Sequence, residues 1–268
     1  MKLILSVLFL TSTIYTRAQI SSPGLGSDMN VCSWYAIGIR QDLDTSANKR
    51  LLTYIGFGRE SKPIDYNPVE RSAIFVLNQE FYQKFKKHWQ YSVALSFRRQ
   101  NEFQEIAPYE KADPGYKNEF RLYGRYMFMH KTKRQKFAAI LRQEYRRFYD
   151  PHFKPWSENF QLRTRLKGQY VINLKSDKTH VLTFGAELLF KLSHYHTPDK
   201  WSEFAYDEAR LTAFYTFSPP EGTLMYSIGY MDDLTDLKNI SYITLDVVIK
   251  DPFNQLKRKL TKDKEEIY

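Results

Sequence analysis

Cysteine is almost absent. Cys32 is the one thiol in 268 residues, so no disulfide can close within the chain, and it reads as a small strand residue. Histidine is scarce as well, with six. A lipid hydrolase built on serine needs a histidine on the same face. Ser193 and His194 are consecutive, which in an extended chain points them apart, so no catalytic residue is assigned. His194 and His196 lie on one side of a strand-like loop near Asp199, but no third spaced ligand follows, so neither a metal nor a cofactor is assigned. The Gly56-Phe57-Gly58 run has no helix after it, which excludes a phosphate-binding loop. Beyond the N-terminus no apolar run reaches about 18 residues, which excludes a spanning helix. It does not exclude a spanning barrel, whose strands each give only a weak signal.

The first twenty residues, MKLILSVLFLTSTIYTRAQI, have a basic start, a short apolar run and small residues before a cut after Ala18. They read as a secretory signal peptide, residues 1–18. Its loss removes Lys2 and Arg17 and no acid, leaving 38 basic against 30 acidic residues, a net +8 instead of +10. A basic balance suits anionic partners. In an exported, strand-rich chain these are lipopolysaccharide phosphates rather than nucleic acid.

What is plentiful is aromatic side chains, 16% of the chain, and strict alternation. In NFQLRTRLKGQYVINL the odd positions from Asn159 to Asn173 are polar or charged with one exception, and the even ones from Phe160 to Leu174 are mostly apolar. Period two means an extended strand with two unlike faces. Ten more segments alternate in the same way, from SWYAIGIRQ near residue 34 to SYITLDVVIKDPF near 250. Eleven candidate strands result, and no helical period competes. Connections alternate between short polar turns (84–88, 130–134, 175–178, 218–222) and longer loops (60–70, 101–117, 149–159, 193–201, 232–239). Proline and glycine fall mostly in these connections.

These features predict an all-β, antiparallel transmembrane barrel of about 12 strands, with ten as the alternative count. Short turns face the periplasm and longer loops face outside. A short strand near 23–32 makes the twelfth. The predicted organisation is a signal peptide at 1–18, an N-terminal segment at 19–32, the barrel at 33–253 and a charged tail at 254–268. The charged face lines the interior. Its carboxylates are Glu80, Glu119, Glu144, Glu187, Glu208 and Asp246. Its cations are Arg98, Arg121, Arg125, Arg142, Arg146, Arg163, Arg165, Lys167, Lys191 and Arg210. Paired across strands, they fill a narrow lumen; in excess, the cations draw anionic solutes. Aromatics near strand ends form two interfacial girdles: Trp34, Tyr35, Phe81, Tyr82, Trp89, Tyr91, Phe148, Phe160, Trp201, Phe217 and Phe253.

The segments NEFRLYGRYMF, AAILRQEYRRFYD, ENFQLRTRLKGQYVINL and DEARLTAFYTF resemble the domain-of-unknown-function 2490 family of Bacteroidota outer-membrane barrels. That resemblance spans roughly residues 30–253 and implies an outer-membrane location with no established activity. The chain departs from many barrel substrates of the assembly machinery in continuing past Phe253 with NQLKRKLTKDKEEIY. The expected protein is therefore a monomeric, non-enzymatic outer-membrane barrel, either structural or a narrow channel for small solutes. Its partners are outer-membrane lipid, lipopolysaccharide and the assembly machinery. A soluble periplasmic barrel around an apolar ligand is the alternative, and an outer-membrane lipid hydrolase the next.

Overall fold

The computed structural model describes residues 29–220, 222–235 and 239–254. The predicted signal peptide, most of the N-terminal segment and the tail from 255 lie outside the described residues. Each of the eleven alternating segments is a strand. They are β1 (Val31–Asp42), β2 (Lys49–Glu60), β3 (Arg71–Lys86), β4 (Trp89–Phe103), β5 (Lys111–Lys131) and β6 (Gln135–Tyr149), then β7 (Pro155–Asn173), β8 (His180–Tyr195), β10 (Ala205–Phe217), β11 (Leu224–Leu234) and β12 (Asn239–Lys250). Between β8 and β10 lies β9 (Lys200–Trp201), two residues that pair back onto the end of β8.

The sheet runs β10-β11-β12-β1 and on in sequence order to β8, which pairs with β10 and closes a barrel of eleven long strands. Ten seams are antiparallel; β1 and β12 run parallel, from Val31 opposite Ser241 to Arg40 opposite Lys250. The all-β barrel and its approximate strand number agree with the sequence. The antiparallel rule holds everywhere except this seam. The additional strand expected near 23–32 is not needed for closure: Val31 and Cys32 already belong to β1. A parallel ladder satisfies the N–H and C=O groups on the edge of β1 as an antiparallel one would.

Connections 43–48, 87–88, 132–134, 174–179 and 218–223 share one end of the barrel, the turn rim. Connections 61–70, 104–110, 150–154, 196–204 and 235–238 share the other, the loop rim. Four of the five loop-rim connections are shorter than expected because strands continue into them; the fifth, 196–204, is shifted by three residues and keeps its length. β5 starts at Lys111 despite Pro114 and Gly115. Its register with β4 jumps from Tyr116 opposite Asn101 to Lys111 opposite Phe103. Pro114 thus sits in an unpaired excursion where its missing N–H breaks no ladder.

The faces are sorted as alternation predicts. Leu95 is 65% exposed on the outer wall, Ile37 53% and Leu166 47%, while Glu144 is 0% exposed, Arg210 1% and Arg121 2%. The interior itself has two sectors. The inner faces of β11, β12, β1, β2 and β3 are largely apolar, with Trp34, Leu52, Tyr54, Val76, Met225, Tyr242 and Val248 in one cluster. The inner faces of β4 to β10 carry most of the charge. Gly56 makes this packing possible: a Cβ there would meet the indole of Trp34 at 2.2 Å.

The girdle assignment needs three corrections. Trp34, Tyr82 and Phe148 are buried and face inward. Trp34 belongs to the apolar sector, and Arg146 lies 4.8 Å from the ring of Phe148. Outside, rings do gather near both rims. Trp89 packs on Tyr126 (4.9 Å) and Phe128 (5.0 Å) toward the turn rim, and Phe97 packs on Phe120 (5.2 Å) toward the loop rim.

Candidate functional site

The charged sector is a ladder of inward side chains brought together by register. On β5, Glu119 accepts from Arg121 at 2.7 Å and from Arg146 of β6 at 2.8 and 3.0 Å, a two-point clasp. On β6, Glu144 lies 2.6 Å from Arg142, 3.1 Å from Arg121 and 3.1 Å from Arg165. On β8, Glu187 accepts two bonds from Arg165, at 3.0 and 2.7 Å. Arg210 bonds to Glu208 and lies 3.3 Å from Asp233. Glu80 accepts from Ser92 at 2.5 Å and from the Tyr123 hydroxyl at 2.9 Å, with Arg125 at 3.4 Å. The guanidinium of Arg142 also lies 3.7 Å from the centre of the Tyr123 ring.

Of the sixteen predicted lumen residues, twelve join this network: Glu80, Glu119, Arg121, Arg125, Arg142, Glu144, Arg146, Arg163, Arg165, Glu187, Glu208 and Arg210. Lys191 pairs with Asp207 at 2.7 Å at a more open position. The other three are inward but form no ion pair within 4.0 Å among the described residues. Arg98 stands opposite Glu119, whose oxygens are already taken by Arg121 and Arg146. Lys167 stands opposite Glu187, which Arg165 holds. Asp246 lies in the apolar sector, and neither of its oxygens has a hydrogen-bond partner among the described residues.

Two carboxylates of the site lie outside the predicted set. A register shift between Tyr206 and Glu208 turns Asp207 toward Arg163, at 2.8 Å, alongside Glu208. Strict alternation would send Asp207 outward. Asp233 falls in the stretch read as a loop, yet β11 runs on to Leu234 and buries it.

Toward the turn rim the ladder opens into a cavity of about 70 Å³. It is walled by Arg125, Arg142, Arg165 and Lys167, with Met127, Met129, Ala138 and Ile140 below them. Arg40, Arg50, Lys136 and Glu187 also line it. At the opposite rim, Lys62 and Glu70 pair at 2.7 Å. That hydrogen bond raises the lysine pKa and lowers that of the carboxyl. In the turn 174–179 the backbone N–H of Thr179 holds the Asp177 carboxyl below its usual range.

Ser193 and His194 do occupy opposite faces of β8. The serine is buried and its hydroxyl bonds to Glu158; the imidazole reaches Asn159 at 2.8 Å and Asp199 at 2.7 Å. Among the described residues no group of three or more His, Cys, Asp or Glu side chains is placed to hold a metal ion. Comparison with protein-family models, curated proteins and solved structures returns no match for this chain.

Proposed function

We propose that this protein is an outer-membrane β-barrel with a narrow, largely filled Arg/Glu interior. One observation carries the reading: a closed barrel turns its aliphatic and aromatic side chains outward and buries its guanidinium and carboxylate groups. In water such an outer wall is an apolar surface far larger than soluble monomers tolerate. In lipid it is the expected face, and closure leaves no unpaired backbone edge. The soluble alternative needs the opposite orientation. The resemblance to the domain-of-unknown-function 2490 barrels agrees with this reading. Export by the N-terminal signal and delivery by the outer-membrane assembly machinery follow from it. The shorter turns are then periplasmic and the longer loops external.

The ionic ladder occupies the lumen at mid-height, which supports a barrier or a very narrow path rather than an open pore. Two measurements test this. The native protein should stay with outer-membrane pellets after carbonate washing and should run faster on gels before boiling than after. Release by carbonate would overturn the membrane reading. In planar bilayers the folded protein should show no steady large openings; a constant porin-sized current would mean that the interior is not filled.

A further inference from the structure

We propose that the cavity beneath the turn rim binds a small amphipathic anion, an oxyanion carried on a short alkyl group. The argument begins with register. Arg125, Arg142 and Arg165 are direct neighbours on β5, β6 and β7 and form one inward rung. One step nearer the turn rim, Met127, Ile140 and Lys167 form the next. A rung of three guanidiniums therefore lies directly against one that sets Met127 and Ile140 beside the Lys167 ammonium, and both line the same cavity. This matches a ligand with one charged and one greasy end.

The cations here are under-neutralised. Arg142 and Arg165 share Glu144 with Arg121, and Arg165 also takes both oxygens of Glu187. Lys167 has no ion-pair or hydrogen-bond partner among the described residues. Its stem lies across Gly185, where a Cβ would meet the lysine Cε at 3.1 Å. A lysine held within a partly buried wall without a carboxylate of its own is a costly arrangement that an anion relieves. Guanidinium forks beside it suit an oxyanion better than a halide.

The approach is charged in the same sense. In sequence, the turn-rim connections carry Lys87, Lys133, Arg134, Lys175 and Lys178 against Asp44, Asp177 and Glu221, five cations to three acids. In sequence, the loop-rim connections carry eight acids, among them Asp65, Glu70, Glu105, Glu110 and Asp150, against the four lysines Lys62, Lys154, Lys200 and Lys238. The field along the barrel therefore draws anions to the rim that opens on the cavity.

The side from which the ligand arrives rests on the membrane reading; the binding itself does not. The test is calorimetry on the full chain refolded in detergent, with folding verified by its heat-modifiable gel mobility, using inorganic phosphate and butyl phosphate as probes. Butyl phosphate should bind at one saturable site about tenfold or more tightly than phosphate. Lys167→Met should lower its affinity by at least about tenfold, and Lys167→Arg should restore most of it. Absence of saturable binding by folded protein overturns the proposal. So does equal affinity for the two probes, or a Lys167→Met variant that binds as the parent does. Failure of the membrane reading would appear separately, in the carbonate wash.

Discussion

Asp246 and Glu144 are both buried carboxylates of the lumen, and they should respond to mutation in opposite ways. Among the described residues Asp246 has no hydrogen-bond partner for either oxygen, and it stands opposite Ala36 and Ser227. Replacing an unsatisfied buried charge by an apolar group of similar size removes a desolvation cost. Asp246→Val should therefore stabilise the barrel by about 1–3 kcal/mol, seen as a higher urea midpoint in refolded protein. Glu144 is the shared acceptor of three guanidiniums. Glu144→Gln leaves them facing one another and should cost about 3–5 kcal/mol in the same assay. The face that a charged residue takes can be read from the sequence, because parity along a strand decides it. Which charged residues pair was not legible, since pairing depends on register between strands and on competition for each oxygen.

Among the strands, the β1–β2 pair depends on one missing side chain. Gly56→Ala would place a methyl inside the Trp34 ring and should destabilise by about 1–3 kcal/mol, with a changed tryptophan emission as its signature. The turn 43–48 holds Ala47 at φ 51°, a left-handed conformation that costs an L-residue about 1–2 kcal/mol. Ala47→Gly relieves that strain but gives a floppier unfolded chain, so a gain of no more than about 1 kcal/mol is expected by urea titration. Every long strand was legible from alternation; the two-residue β9, in a stretch read as a loop, was not. Also hidden from alternation were the bulge that turns Asp207 inward and the extension of β5 through Pro114, where ladder geometry overrides local parity and composition. Three aromatics were misplaced for a related reason. Trp34, Tyr82 and Phe148 have the chemistry of a membrane interface, yet large rings serve equally well to fill a lumen.

For the molecule as a whole, the decisive property is the inversion of its two faces. Spin labels at Leu166, on the outer wall, should be reached by oxygen dissolved in lipid, whereas labels at Thr183, which is buried and inward, should not. The reverse pattern would place the greasy face inside and make the protein a soluble container. Closure was legible in outline, because a sheet of this outer polarity cannot leave an edge open. The orientation of the closing seam was not, since it depends on whether an odd or even number of strands separates the two ends of the chain. The other ten neighbouring pairs each join long strands that follow one another in sequence through a connection of ten residues or fewer. The partners β1 and β12 have nearly the whole barrel between them in sequence. A long closure of that kind comes late in folding, and a slanted parallel ladder holds slightly less per residue. The cylinder thus has one place where it would unzip first, and amide protons along β1 and β12 should exchange sooner than those at the centre of β5, β6 and β7.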